Sequence, residues 1–153
     1  NVQAAYAALL ETTQAHQKPT VTWFAAFAQL QAADRLRDAQ RTEESASTYR
    51  KSLETFEIAT SLDRSLANTA TYVSLAYCGL ARLLLSDDDT IGAAEQLLDG
   101  LESNPGALDT PDASGLTPRL AVETTLTRLA DEKPKPRKKA QDYAKRLQGL
   151  LDT

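Results

Sequence analysis

Residues 74–107 read SLAYCGLARLLLSDDDTIGAAEQLLDGLESNPGA. In the first half of this stretch, apolar residues would lie on nearly every side of a helix, which is typical of a helix with neighbours on more than one side. The run SDDDT at 86–90 then supplies short oxygen side chains of the kind that cap a helix N-terminus. A second helix follows until the Asn-Pro-Gly breakers at 104–106. The stretch therefore predicts two helices joined by a polar turn.

The composition of the whole chain also favours helices. Its 153 residues are 42% hydrophobic, 25% charged and 6% aromatic, with one cysteine and a net charge of −4. Alanine and leucine carry the apolar content and favour helices, whereas strands prefer β-branched residues. The β-branched aliphatic residues are few: Val2, Val21, Ile58, Val73, Ile91 and Val122. We therefore predict an all-α protein.

Several classes of protein are excluded by the same composition. Hydrophobic residues are too plentiful for a disordered chain, and one cysteine cannot build a disulfide framework. No apolar stretch approaches the ~18 residues that cross a bilayer. We expect one soluble domain over 1–153, with a cytoplasmic location favoured and the compartment otherwise open. Because the chain starts at Asn1 and contains no methionine, we expect it to be a piece of a longer protein.

Hydrophobic periodicity and helix-breaking residues predict about seven helices in antiparallel hairpins. Their ranges are roughly 2–16, 20–40, 42–63, 66–86, 90–103, 118–132 and 137–151. A long loop at 104–117 separates the fifth helix from the sixth. At its end, Thr117 and Pro118 match a helix cap followed by proline in the first turn. We expect the sixth helix to turn three leucines inward: Leu120, Leu126 and Leu129.

Short helices in series that cannot each bury an apolar face suggest hairpins stacked into a solenoid. Residues 74–107 resemble a tetratricopeptide repeat over its full period of 34 residues. The family's pattern falls, in order, on Tyr77, Leu80, Ala81, Leu84, Ala93, Leu97, Gly100 and Pro105. Leucines stand at 84 and 97, where the family usually has aromatic rings. The resemblance implies that two helices approach closely at three small residues: Ala81, Ala93 and Gly100.

Two weaker copies of the repeat accompany this one. The second helix of the earlier copy carries Ser45, Tyr49 and Ser52, and the helix before it carries Ala32, Ala33 and Leu36. The later copy lies in the last helix, at Ala140, Ala144 and Leu147. The copies are 48 and 47 residues apart, so we expect irregular repeats in a tetratricopeptide-like α-solenoid. A generic helical bundle is the alternative, whereas a long coiled coil is disfavoured because the apolar stripes change face between helices.

Residues that could support catalysis are sparse. His16 is the only histidine and Cys78 the only cysteine, and the predicted helices put them on distant elements. The acidic run at 87–89 lacks the alternating ligands of a calcium loop and is interpreted as a solvated helix cap. The sequence contains neither a glycine-rich phosphate loop nor zinc-ligand spacing. We therefore expect no enzyme activity, no metal and no cofactor.

Positive charge is concentrated towards the C-terminus. The basic patch consists of Lys133, Lys135, Arg137, Lys138 and Lys139. Three interpretations are open: a solvated linker between helices, a dock for an acidic neighbouring domain or subunit, and a patch for an anionic surface or nucleic acid. Nucleic acid is disfavoured, because the run lacks the interleaved aromatic residues on which single-stranded bases stack.

The resemblance implies a curved surface lined by the first helix of each hairpin, which holds an extended peptide or a partner helix. Carried onto the matched positions, the partner-binding residues are Phe27, Leu30, Gln31, Asp34, Arg37, Leu75, Cys78, Arg82 and Ser86. Asp34, Arg37 and Arg82 are the strongest candidates, because charges on otherwise apolar helices need water or a partner. We expect a non-catalytic protein-interaction or scaffold module. The alternatives are a regulatory or substrate-presenting domain of a larger enzyme, or weak binding of an anionic surface or nucleic acid through 133–139.

The last predicted helix also leaves self-association open. It presents Leu147, Leu150 and Leu151 at the end of the chain, where a solenoid normally has a polar cap. These leucines either fold back, pack on a missing neighbour or form a dimer.

Overall fold

All the secondary-structure elements that the structure describes are helices. The structure is a computed structural model, and it describes residues 2–5, 7–8, 18–131 and 138–153. Six α-helices have defined bounds: α1 (Pro19–Asp38), α2 (Thr42–Leu62), α3 (Thr69–Ser86), α4 (Thr90–Leu101), α5 (Pro118–Asp131) and α6 (Lys138–Leu151). A 3₁₀ turn, Pro105–Asp109, follows α4, and residues 2–5 and 7–8 are also helical. These residues contain no strand, so the prediction of an all-α protein is confirmed.

The helix ends follow the capping residues found in the sequence. Asp89 caps α4, because its Oδ1 accepts a hydrogen bond of 2.8 Å from the backbone N–H of Gly92. Thr117 caps α5 in the same way, with its Oγ1 3.4 Å from the backbone N of Leu120. Both predicted caps are therefore confirmed. The predicted first helix, roughly 2–16, lies largely outside the described residues.

Small side chains line the contact between α1 and α2. Ser45 and Ser52 of α2 are fully buried, and their hydroxyls donate to the backbone oxygens of Ala33 and Ala26 of α1, both at 2.8 Å. These hydrogen bonds matter because an unpaired buried polar group costs about 1–3 kcal/mol. The side-chain amide of Gln29 in α1 is also buried, and it has no hydrogen-bond partner in the described part of the chain.

Helix α3 lies between two apolar cores. The first core joins it to α1 and α2 and contains Leu75 and Leu80 of α3 together with Phe56 of α2. The second core joins it to α4, α5 and α6 and contains Ala81 and Leu85 of α3. The apolar character of this helix on nearly all sides therefore has the predicted cause, which is packing on more than one side.

Helices α3 and α4 approach each other at small residues. A Cβ atom on Gly100 would lie only 2.5 Å from the Cβ of Tyr77 in α3. Ala81 and Ala93 are both completely buried. Larger side chains at such positions would force the helices apart, because helix contacts are packed as densely as the rest of a protein interior. Of the three small residues that carry the resemblance, Gly100 therefore lies at a close helix contact, and Ala81 and Ala93 are buried in the second core.

The C-terminal helices differ from prediction at Leu120. This residue is 48% exposed, so its predicted inward orientation is wrong. The buried face of α5 passes instead through Val122 and Leu129, and Leu120 lies off that face because each residue turns an α-helix by about 100°. In α6, Leu147 and Leu150 are buried in the second core, so these two leucines pack within the chain.

Candidate protein-interaction site

The nine residues predicted to bind a partner lie on α1 and α3, which contact each other. We call the surface of α1 and α3 around Arg37 and Arg82 the first-helix face. Four of the nine are buried: Leu30, Asp34, Leu75 and Cys78. Four more are half-buried: Phe27, Gln31, Arg37 and Arg82. The ninth, Ser86, is exposed. The two predicted halves of the site are therefore adjacent, but their members differ in accessibility.

Asp34 anchors a buried polar cluster between α1 and α2. Its carboxylate accepts a hydrogen bond from the hydroxyl of Tyr49 in α2. That hydroxyl accepts in turn from Nη1 of Arg37 at 3.0 Å, and Nη1 lies 3.5 Å from Oδ1 of Asp34. Burial, and then the nearby Asp34 carboxylate, raise the pKa of Tyr49, so its hydroxyl stays protonated and can donate. The three side chains form a closed set of charge-assisted hydrogen bonds.

The loop before α5 completes this cluster. Arg37 donates through Nη2 to Oδ2 of Asp112 at 3.0 Å, and the Asp112 side chain is only 6% exposed. The backbone N–H of Ala113 donates to Oδ2 of Asp34 at 3.1 Å. Residues 110–117 are thus docked on the first-helix face through one carboxylate and one backbone amide.

Arg82 of α3 holds the end of the same loop. Its Nη2 donates to the backbone oxygen of Thr117 at 2.6 Å. Burial lowers the pKa of the Arg82 guanidinium and the Asp112 carboxylate opposes this shift, but an arginine stays charged at neutral pH. Both arginines of the predicted site therefore bind this chain's own loop.

Asp112 gives the loop its shape as well as its anchor. Its Oδ1 accepts from the backbone N–H groups of Ser114 and Leu116, at 2.9 and 3.0 Å. Gly115 between them has φ of +82°, in the left-handed region that favours glycine. One oxygen of the carboxylate therefore shapes the turn while the other binds Arg37.

The sequence indicates that the charged residues of the site need polar partners, but it does not identify Asp112 as one of them. The sequence indicated that the charges of Asp34, Arg37 and Arg82 require water or a partner, and their partners lie within this chain. The loop composition, rich in Asp, Ser, Gly and Pro, was a signal for a turn shaped by a side chain. Nothing in the sequence connects that turn to Arg37, which lies 75 residues earlier in the chain.

The apolar and uncharged predicted residues have mainly structural surroundings. Leu30 and Leu75 belong to the first core. Cys78 is 2% exposed, and burial raises the pKa of its thiol to about 12, so it stays protonated and unreactive at neutral pH. The hydroxyl of Ser86 donates to the backbone oxygen of Arg82 in its own helix at 3.1 Å.

The basic patch can be described only in part. Lys133, Lys135 and Arg137 lie outside the described residues, and Lys138 and Lys139 are exposed at the start of α6. Lys139 forms an ion pair of 3.2 Å with Glu95 of α4, and its Nζ lies 5.6 Å from the centre of the Tyr143 ring. Within the described end of the patch, Lys139 is therefore engaged with this chain's own surface.

The pH dependence of stability tests the burial of Asp34. Burial raises the pKa of Asp34 above its ordinary value of 3.8, against the lowering effect of the Tyr49 hydrogen bond. A raised folded-state pKa contributes stability that is complete below pH 3.8 and is lost as the pH rises through the raised value. We expect the free energy of unfolding of the unsubstituted chain, minus that of Asp34→Asn, to fall as the pH rises above 3.8. Urea unfolding at each pH measures this difference.

Glu102 provides a contrast of opposite sign. Its hydrogen bond from Arg146 lowers its pKa below the ordinary value of 4.5. The stability that it contributes is therefore complete above pH 4.5 and is lost as the pH falls through the lowered value. The difference between the unsubstituted chain and Glu102→Gln should rise with pH, so the same trend in both variants would contradict the burial of a charged Asp34.

Comparisons with known proteins add no relative from which a site could be transferred. The chain matches no known family model, no curated protein and no solved structure. Among the described residues, no group of three or more His, Cys, Asp or Glu side chains is arranged to hold a metal ion. None of the described helices is both long and apolar enough to cross a membrane.

Proposed function

We propose that this chain is a non-catalytic protein-interaction module, built from tetratricopeptide-like antiparallel helix pairs, that holds an extended peptide on its first-helix face. The packing order of the helices supports the paired arrangement. The most extensive contacts are those between α1 and α2 and between α3 and α4, and only three residues connect each of these pairs. Such short connections favour antiparallel neighbours.

Contacts between the pairs support stacking of the first helices. Helix α1 contacts α3, and α3 contacts α5, which gives a row of first helices. Among the second helices, α4 contacts α6, whereas α2 contacts α3 and shares no extensive contact with α4. A solenoid is built from contacts of this kind, between each repeat and its neighbours.

The docked loop is the observation that carries the proposal. Residues 110–117 bind the first-helix face as a ligand peptide would, through a carboxylate on Arg37, a backbone oxygen on Arg82 and a backbone N–H on Asp34. Backbone contacts of this kind hold a peptide independently of most of its side chains, and Arg37 adds a preference for an acidic residue. A partner peptide of the same chemistry would compete with the loop for the face.

The proposal is tested by supplying the loop as a separate peptide. In the receptor variant, alternating glycines and serines replace residues 111–116, which removes the Asp112 carboxylate that anchors and shapes the loop, so that an added peptide can compete for the face, and leaves the length of the chain unchanged. A fluorescent peptide of residues 109–118 should bind this variant saturably. It should not bind the unsubstituted chain, whose tethered loop has an effective concentration in the millimolar range.

The matched control peptide carries Asp112→Asn. It should bind about tenfold more weakly or worse, because a hydrogen bond to a charged group contributes about 1.5–3 kcal/mol. The single variant Asp112→Asn of the whole chain offers a second receptor if the loop replacement does not fold. Absence of saturable binding to a receptor that keeps its circular dichroism spectrum and cooperative unfolding would refute peptide binding on this face.

A further inference from the structure

A second surface, on the other side of α3, has a different chemistry. Helices α4 and α6 pack together, but α2 and α4 are not among the pairs that share extensive contacts. The space between α2 and α4 is an open groove, with Tyr77 and Leu84 of α3 in its floor. We call this space the α2–α4 groove.

The α2–α4 groove is long enough to hold a helix. Three adjoining surface cavities of about 460, 550 and 550 Å³ run along it. Leu53 and Tyr77 line both the first cavity and the second, while Thr60, Arg64 and Val73 line both the second and the third. Helix α2, which forms one wall, has 21 residues and is therefore about 30 Å long.

The floor of the groove is apolar and only partly covered. Leu53 of α2 and Val73, Tyr77 and Leu84 of α3 line it, and all four are half-buried. The three residues of α3 follow one another at steps of four and seven residues, which matches the spacing of the apolar face of another helix.

The rim of the groove is acidic. Five carboxylates and two guanidinium groups line it. The carboxylates are those of Glu43, Glu54, Glu57, Asp87 and Asp99, and the guanidinium groups are those of Arg50 and Arg64. None of the five carboxylates forms an ion pair with another described residue, whereas the nearby Glu44 and Asp88 pair with Arg41 and Arg128. The groove therefore presents unneutralised negative charge on both sides of an apolar floor.

We propose that the α2–α4 groove binds an amphipathic helix of another protein whose polar face carries Lys and Arg. The apolar face of such a helix covers the floor, and its cations approach the rim carboxylates. Charge complementarity of this kind speeds association and excludes acidic helices. The binding surface is separate from the first-helix face, so the outcome of the loop-peptide experiment does not decide this one.

Designed peptides of about 18 residues test the groove without knowledge of the natural partner. The probe contains only Leu and Lys, with Leu on one helical face. One comparison peptide replaces each Lys by Glu, and another has the Leu–Lys composition in an order that forms no apolar face. We expect saturable binding of the probe, at least tenfold tighter than that of either comparison peptide, and weakening as salt rises.

Charge-reversal variants locate the binding. The double variant Glu54→Lys/Glu57→Lys changes exposed rim residues of α2 and should weaken probe binding about tenfold or more. The double variant Glu123→Lys/Asp131→Lys makes the same change in net charge on exposed residues of α5, outside the groove, and should weaken it less than about twofold.

Three outcomes would overturn the proposal. Equal weakening in the two double variants would mean that the probe responds only to net charge. Equal binding of the Leu–Glu peptide would remove the preference for a basic helix. A dimer in light scattering that Glu54→Lys/Glu57→Lys converts to a monomer would assign the groove to a second copy of this chain.

Discussion

Arg37→Ala is expected to lower the free energy of unfolding by about 3–5 kcal/mol. The Arg37 side chain is 9% exposed, and it contacts Asp34 and Asp112, whose side chains are 3% and 6% exposed. Without the guanidinium, two buried carboxylates would face each other, and the Asp112 charge already contributes to raising the pKa of Asp34. Removing one partner of a buried ion pair is costly because the remaining charge is left uncompensated. Urea unfolding followed by circular dichroism measures the loss.

Arg41→Ala is the matched control for this prediction. Arg41 pairs with Glu44 at 2.7 Å, but the two side chains are 58% and 56% exposed. Solvent screens such a pair, so we expect a loss below about 1 kcal/mol. Arg37→Ala should also cost less in an Asp112→Asn background than in the unsubstituted chain, because the two residues interact directly. Equal losses in Arg37→Ala and Arg41→Ala would contradict the buried cluster.

The helices could be predicted from the sequence because their signals are local. Pro19 sits in the first turn of α1, Asp89 caps α4 and Pro118 begins α5, so proline and a short acidic side chain mark these helix starts. Such residues act through the amides of the next turn, and their effect is readable over a few positions. The prediction for α3 succeeded for a similar reason, because apolar residues on nearly all sides of a helix require two packing partners.

The chemistry of the first-helix face could be predicted only in part, because it depends on contacts distant in sequence. The charges of Arg37 and Arg82 on apolar helices indicated that partners must exist. The identity of those partners depends on the path of residues 110–117 across α1 and α3, which no periodicity encodes. The open α2–α4 groove escaped prediction for the same reason, since it depends on how two helices are positioned relative to α3.

Gly79 links the packing of α3 to the polar cluster on α1 and α2. A Cβ atom at this position would lie 2.2 Å from Cζ, 2.4 Å from Cε1 and 2.5 Å from the hydroxyl oxygen of Tyr49. Tyr49 is completely buried, and its hydroxyl bonds to both Asp34 and Arg37. The ring therefore cannot move away from a larger residue at 79 without breaking the hydrogen bonds that also hold the loop.

Gly79→Ala should consequently lower the free energy of unfolding by up to about 2 kcal/mol, because an overpacking cost of about 1–3 kcal/mol is reduced by the ~1 kcal/mol by which alanine favours a helix over glycine. Gly149→Ala in α6 is the matched control, because no described atom beyond its own surroundings in the helix lies within 4 Å of the new Cβ. That variant should raise the free energy of unfolding by about 0.5–1 kcal/mol. Hydrogen exchange of the Ala113 amide should accelerate in Gly79→Ala alone, because displacement of Tyr49 disturbs the Asp34 carboxylate that accepts from this amide. If Gly79→Ala instead stabilises the chain as Gly149→Ala does, Tyr49 has room to move, and the cluster does not fix the spacing of α2 and α3.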